Sequence, residues 1–251
     1  MARTTSVLVA GPDGHRRPDR LVVEAPLAVS LDGHPVTTTM RTPGEDVELA
    51  AGFCLTEGLL GGAAVREVRA NCDLDGVDVR TGGVAQVPTP RLGTTTSSCG
   101  VCGVADVEAL RSRLVPLVGA PTIDVAVLAG LGDRVRSAQT LFDATGSVHA
   151  AATFDAVTGE VGVVREDIGR HNAVDKVVGR LLLDGQLPAA GTGLFVSGRV
   201  SFEIVQKAWA AGIGLVVAVS GPTSLAVSTA TTAGIALVGF LRGPSMTIYT
   251  P

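Results

Sequence analysis

The sequence predicts an α/β protein, with a largely parallel, helix-covered sheet following a smaller α+β region. Three observations predict it. From about Ile123 onward, short β-branched runs alternate with helical runs, the pattern of strands crossing over through helices. Before that point the chain reads as short paired strands around one helix. Apolar residues make up 46% of the 251 residues but aromatic ones only 3%, so a packed core can form and must be aliphatic.

Residues 1–20, rich in Gly, Pro, Asp and Arg, read as a loose tail. They lack the apolar run and small-residue cleavage site of a secretory signal. The smaller domain is expected over 21–120. Residues 21–31 are apolar and β-rich, Asp32-Gly33 is a hairpin turn signal, and 36–40 is the returning strand. Pro43-Gly44 breaks the chain. Residues 45–60 then carry a helical period through Val47, Ala50, Ala51, Cys54 and Leu55, which Gly61-Gly62 stops. Residues 65–87 read as short strands turning at Asp75-Gly76 and Gly82-Gly83. Residues 94–103 are small and polar, a loop, and 106–117 a helix.

The larger α/β domain is expected over 121–251. Helices are predicted at 132–142, 168–183, 201–210 and 223–232. Strands are predicted at 148–154, 161–165, 193–196, 214–219, 235–240 and 246–250. Two stretches share V-S-G-x-x-S, starting at Val196 and Val219. Each sits where a strand ends and a helix begins. They read either as two similar strand-to-helix turns capped by Ser, or as two helix N-termini presented to one phosphate-bearing ligand at the sheet edge.

The formal net charge of −4 speaks against a nucleic-acid partner, because phosphate-backbone binders are normally basic. Few aromatics speak against base stacking. No run of ~20 apolar residues suggests a membrane span, and a cytoplasmic protein is expected. In that reducing compartment four cysteines are not expected to form a disulfide framework.

Cys99-Gly-Val-Cys102 places two thiols on a glycine-flanked loop before a predicted helix. Glycine lets a partner approach the sulfur closely, and a helix N-terminus favours thiolate over thiol. A dithiol redox couple, half of a zinc site and a sulfur carrier all fit. A zinc site needs two further ligands, from Cys54, Cys72, His149 or His171, at spacings that form no second CxxC. The densest charge runs from Arg165 to Lys176. Asp167 can cap the helix expected from Ile168, with His171 and Asp175, and Asn172 and Lys176, as i, i+4 neighbours. The plain reading is a solvated helix face. The functional one is a site at a strand's C-terminal end, where Arg165, Glu166 and Asp167 fall, with His171, one of only four histidines, close by.

These residues, taken in order, resemble the formate dehydrogenase accessory sulfurtransferases, the FdhD family. The resemblance rests on Gly52-Phe53 with Thr56-Glu57-Gly58, Ser98-Cys-Gly-Val-Cys-Gly103, Val148-His-Ala-Ala151, the Arg165–Lys176 block, Ser197-Gly-Arg-Val-Ser-Phe-Glu203, Ser224-Leu-Ala-Val227 and Gly239-Phe240. It implies a cytidine-deaminase-like three-layer sandwich joined to a smaller α+β N-terminal domain. It implies sulfur taken from a cysteine desulfurase and passed to the molybdenum cofactor of formate dehydrogenase, bis(molybdopterin guanine dinucleotide), which is bound as substrate with no permanent cofactor and no metal ligand. Cys99 is then the persulfide carrier, with Cys102 as helper. Cofactor binding falls on Phe240, Leu241, Arg242, Gly243, Pro244 and Ser245. The twin V-S-G turns, with Ser197, Gly198 and Arg199, and Arg242 are candidates for holding the cofactor's phosphates; Arg165 and His171 are further cofactor-binding candidates, and a homodimer is expected. Pro244-Ser245 stands where relatives usually carry Gly-Arg. Ser98 before Cys99 departs from the zinc-deaminase pattern, so neither zinc nor deamination follows from the fold. A non-catalytic cofactor chaperone and a zinc-bound structural module are the rival readings.

Overall fold

The computed structural model describes residues 1–88, 94–95, 115–119, 121 and 123–251. Residues 1–20 are not a loose tail: β1 (Thr4–Ala10) and β2 (Arg16–Val22) pair as an antiparallel hairpin. The sequence conceals it because β2 is almost wholly exposed, so no apolar alternation marks it. Backbone pairing needs none.

A five-stranded sheet follows, in the order β5-β6-β3-β4-β7. Its members are β3 (Ala25–Leu31), β4 (His34–Arg41), β5 (Glu67–Ala70), β6 (Gly76–Arg80) and the two-residue β7 (Thr94–Thr95). Asp32 and Gly33 turn β3 into β4 with φ of 49° and 80°, the positive pair that a two-residue hairpin turn demands. Helix α1 (Asp46–Thr56) lays Leu49, Ala50 and Cys54 on Leu27, Val29, Leu31, Val77 and Val79.

The larger sheet has six strands in the order β13-β12-β11-β10-β8-β9. They are β8 (His149–Asp155), β9 (Val161–Asp167), β10 (Thr192–Val196), β11 (Leu215–Ala218), β12 (Ala236–Arg242) and β13 (Ser245–Thr250). The sheet is mixed rather than largely parallel. Only β10–β11 and β11–β12 run parallel, while β8–β9, β8–β10 and β12–β13 are antiparallel. The short links 156–160 and 243–244 hold no crossover helix, and a link that short closes only a hairpin.

Alternation along the central strands separates two cores. Leu194, Val196, Val216, Ala218 and Leu237 pack under α5 (Arg170–Leu183), α6 (Phe202–Ala210) and α7 (Ser224–Ala233). Phe195, Leu215, Val217, Ala236 and Val238 face the other way, onto Leu128, Leu131 and Val135 of α2 (Val125–Ala129) and α3 (Leu131–Ser137). The domain is therefore three-layered. The helix expected over 132–142 breaks at Ala138-Gln139 and restarts as α4 (Thr140–Thr145). The Glu166 carboxylate starts it, accepting the Leu141 and Phe142 amides at 2.8 Å each.

Helix α1 of the smaller sheet and α5 of the larger one cross at backbone contact. A Cβ on Gly52 would lie 1.9 Å from the Asp175 carbonyl oxygen, and one on Gly179 would lie 1.8 Å from that of Glu48. No side chain fits at either position. Gly52→Ala and Gly179→Ala are each expected to force the helices apart and to lower stability by about 3 kcal/mol. Urea unfolding measures this, and a parental midpoint in both variants contradicts the crossing.

Candidate functional site

The two V-S-G turns lie side by side at one edge of the six-stranded sheet. Val200 bridges Pro222, and the Val219 amide donates to the Val196 carbonyl at 3.2 Å. Helices α6 and α7 start just beyond, so both N-termini meet this edge. Their caps differ from the expected pair of serines. Thr223 caps α7 through the Ala226 amide, whereas Ser201 makes no capping bond. Its Oγ instead stands 3.1 Å from His171 Nε2, which also lies 3.0 Å from Glu203 Oε2.

Strand β8 runs against β10, so its first residue, His149, reaches the edge where β10 ends. Ser197 fixes that meeting. Its amide donates to the Ala150 carbonyl and its Oγ accepts the Ala150 amide, both at 2.9 Å. The His149 ring stands over Gly198, where a Cβ would lie 3.3 Å from Nδ1 and 3.5 Å from Arg170 Cδ. Burial and the Arg170 guanidinium hold His149 below the ordinary histidine range, with His171 and Arg199 adding to the effect and Asp167 opposing it. A cleft of about 610 Å³ opens here, lined by His149, Ser197, Ile168 and Val219 on one side and by Gln139 and Phe142 on the other.

The remaining predicted residues divide. Phe240 adopts φ 54° and sets its ring against Gly221 of the second turn, so it does join the edge. Leu241 points into the core with Val238 and offers no side chain to a ligand. Arg242, Gly243, Pro244 and Ser245 form the exposed tip of the β12–β13 hairpin. Arg165 is engaged elsewhere: its guanidinium grips Glu48 of α1 at 2.5 and 2.8 Å. Cys99 and Cys102 lie outside the described residues, as does most of the helix expected over 106–117. Their stretch leaves from β7, which pairs with β4. It returns where the Leu117 amide donates to the Ala233 carbonyl and Trp209 Nε1 to the Val115 carbonyl, both at 2.8 Å. Burial, helped by Asp175, pushes the Cys54 thiol up to about 12, which leaves it inert, while Cys72 is exposed. Among the described residues no group of three or more His, Cys, Asp and Glu is arranged to hold a metal.

The charged block is neither a solvated face nor a helix cap. Asp167 is fully buried. One of its oxygens accepts from the Gly169 amide and Asn172 Nδ2, at 2.8 and 3.0 Å. The other accepts from the Thr42 amide and Lys176 Nζ, at 3.1 and 2.9 Å. The helix starts two residues later than expected because Asp167 bonds across to Thr42 of the smaller domain. Lys176 Nζ also donates to the Thr42 carbonyl at 3.1 Å. A second buried cluster joins Lys207 Nζ to Asp175 at 2.9 Å, Glu57 at 3.1 Å and Thr56 Oγ1 at 2.9 Å. Gln206 donates to the Thr56 carbonyl. These partners escaped sequence reading, although one signal was present: Asp175 and Lys176 are followed directly by Val177 and Val178, on a helix with too narrow a polar stripe to be solvated.

Residues 22–251 match the model of the FdhD/NarQ family. The chain belongs to that family. Its similarity to curated FdhD proteins runs over 93% of its length. It is 50% identical over 248 residues to the sulfur carrier protein FdhD of Mycolicibacterium paratuberculosis, covering 93% of this chain and 91% of the relative. It is 49% identical to that of Streptomyces avermitilis, covering 93% and 88%. A crystal structure from Desulfotalea psychrophila, described as of a formate dehydrogenase accessory protein, superposes with a TM-score of 0.79 over 99% of this chain and 96% of that one, at 22% identity. The fold is shared. In this FdhD/NarQ chain the motif residues thus split between the sheet edge that bears the two V-S-G turns and a buried joint between sheets.

That joint has a pH signature. Burial pushes the Asp175 carboxyl up against the pull of Lys207. Burial also works against the Lys207 ammonium, but Asp175 and Glu57 outweigh it and hold it above the ordinary lysine range. One cation serves two carboxylates. A carboxyl raised in the fold stabilises it while protonated and loses that contribution as pH rises. Lys207→Met strands both carboxylates, with an expected loss of about 3–5 kcal/mol. The deficit should shrink as pH falls and Asp175 protonates. Urea midpoints at about pH 8 and about pH 5 measure it, and a deficit that grows on acidification contradicts the assignment.

Proposed function

We propose that this chain carries sulfur for formate dehydrogenase. It accepts sulfur from a cysteine desulfurase on Cys99 and delivers it to the molybdenum cofactor, bis(molybdopterin guanine dinucleotide), bound as substrate at the edge formed by the two V-S-G turns. The observation that carries the reading is its near-full-length similarity to proteins named as sulfur carriers, together with the Cys99-Gly-Val-Cys102 pair.

In the loading step the Cys99 thiolate attacks the outer sulfur of the desulfurase persulfide. The desulfurase cysteine leaves as thiolate and Cys99 holds S–SH. Exchange of this kind depends on thiolate fraction and access. In delivery Cys102 attacks the inner sulfur, closing a Cys99–Cys102 disulfide and freeing hydrosulfide for the bound cofactor. A cellular dithiol then reduces the disulfide. The edge suits the cofactor's phosphates through its two helix N-termini and through Arg199. The three-layer sheet is read as a cytidine-deaminase-like sandwich that holds a base-bearing ligand without deaminating it. A cytoplasmic homodimer completes the proposal. Among the described residues no helix is long and apolar enough to cross a membrane.

Incubation with a cysteine desulfurase and cysteine is expected to add one sulfur to the intact mass, and Cys99→Ala to abolish the gain. An active formate dehydrogenase matured with Cys99→Ala would make the chain a cofactor chaperone and overturn sulfur carriage.

A further inference from the structure

Arg170 is the first residue of the 14-residue α5. Its Nε is buried and has no hydrogen-bond partner. Two other buried side-chain polar atoms among the described residues share that state, Arg3 Nε and Glu45 Oε2. Both belong to side chains paired through their other atoms, Arg3 with Glu45 at 3.3 Å. Neighbouring arginines also have carboxylates: Arg165 has Glu48, Arg136 has Asp143 and Arg180 has Asp184. Arg170 has none. A guanidinium N–H withdrawn from water without an acceptor is costly.

Its surroundings point to an anion. The Arg170 stem and the His149 ring converge on Gly198, within 3.5 Å of where a Cβ would stand. Arg199 follows, exposed. The nearby acids are already engaged: Asp167 accepts from four donors, and Glu203 lies against His171. The corner therefore carries an excess of positive charge, beside a cleft large enough for a small-molecule ligand and lined by His149. The N-terminus of α5, which no side chain caps, adds to it.

We infer that Arg170 and His149 form the anion-recognition corner of the cleft and receive a phosphate group of the ligand held there. The inference rests on the cofactor reading above and goes beyond it in naming the two side chains that select a phosphorylated ligand. The Arg170 guanidinium supplies charge and directed N–H donors, and neutral His149 supplies one N–H. His149 faces Arg170 and His171 from α5, Asp167 from β9 and Arg199 from the first turn. A bound phosphate offsets those cations and draws a proton onto the ring. Binding should thus take up a proton and weaken as pH rises.

Titration calorimetry of the full chain with GDP and with inorganic pyrophosphate tests this. Arg170→Gln is expected to weaken both about tenfold or more, as loss of a charged hydrogen bond does. Arg170→Lys, which keeps the charge, should lose less. His149→Asn should abolish proton uptake, read as the dependence of the heat on buffer ionisation. Parental binding in Arg170→Gln, or undiminished proton uptake in His149→Asn, overturns the corner. So does a parent protein that binds neither probe; if Cys99 still gains sulfur in that case, sulfur carriage stands without the corner. Arg170-dependent binding of pyrophosphate without sulfur gain at Cys99 supports the corner and removes the carrier reading.

Discussion

The backbone contact between α1 and α5 sets the geometry of everything around it. Gly52 and Gly179 let each helix reach the other's carbonyls, and that approach brings charged side chains from both sides of the joint within bonding range, most of them buried. Arg165 meets Glu48, Lys176 meets Asp167 beneath Thr42, and Lys207 meets Asp175 and Glu57. Buried ion pairs of this kind add little net stability over apolar packing, but they penalise any arrangement that separates them. They specify one docking of the two sheets more than they strengthen it.

The edge that bears the V-S-G turns inherits its order from this joint. Asp167 ends β9 and binds Thr42 on one side and Gly169 on the other, which fixes the turn carrying Ile168 and Arg170. His171, one residue further, touches Ser201 at the start of α6. The α6 helix returns to the joint through Gln206 and Lys207. Strand end, helix start and first V-S-G turn are thus held by one continuous chain of hydrogen bonds. Pre-organisation of a site by packing around it is what keeps recognition geometry from drifting.

Local chemistry made much of this legible. Asp32-Gly33 announces its turn because only certain residues tolerate two successive positive φ values. The strands at 193–196 and 214–219 are visible because both faces are buried, which leaves an uninterrupted apolar run. Strand direction was misjudged although the short links were readable, because alternation of helix and strand suggested crossovers. In the 4–22 hairpin the second strand, exposed along nearly its whole length, left no apolar alternation. Arg165 and Asp167 were assigned to a ligand and to a cap because their partners, Glu48 and Thr42, lie more than a hundred positions away in the chain. Only the fold reveals such pairs. The same holds for Leu241, where the strand pleat turns one residue of a contiguous motif inward while Phe240 beside it stays out.

The antiparallel placing of β8 and β9 has a practical side. A hairpin delivers both of its open ends to one place, and here those ends are His149 and Asp167, paired across the strands beside the first V-S-G turn. Its closed end, Ala156 to Glu160, is braced by Asp155, which accepts the Val157 and Thr158 amides. Seven residues of strand separate the two ends, roughly 20 Å at the rise of an extended chain. That far loop, with Val157 largely in solvent, is where a label or an inserted peptide reports on the protein while standing a strand's length from His149.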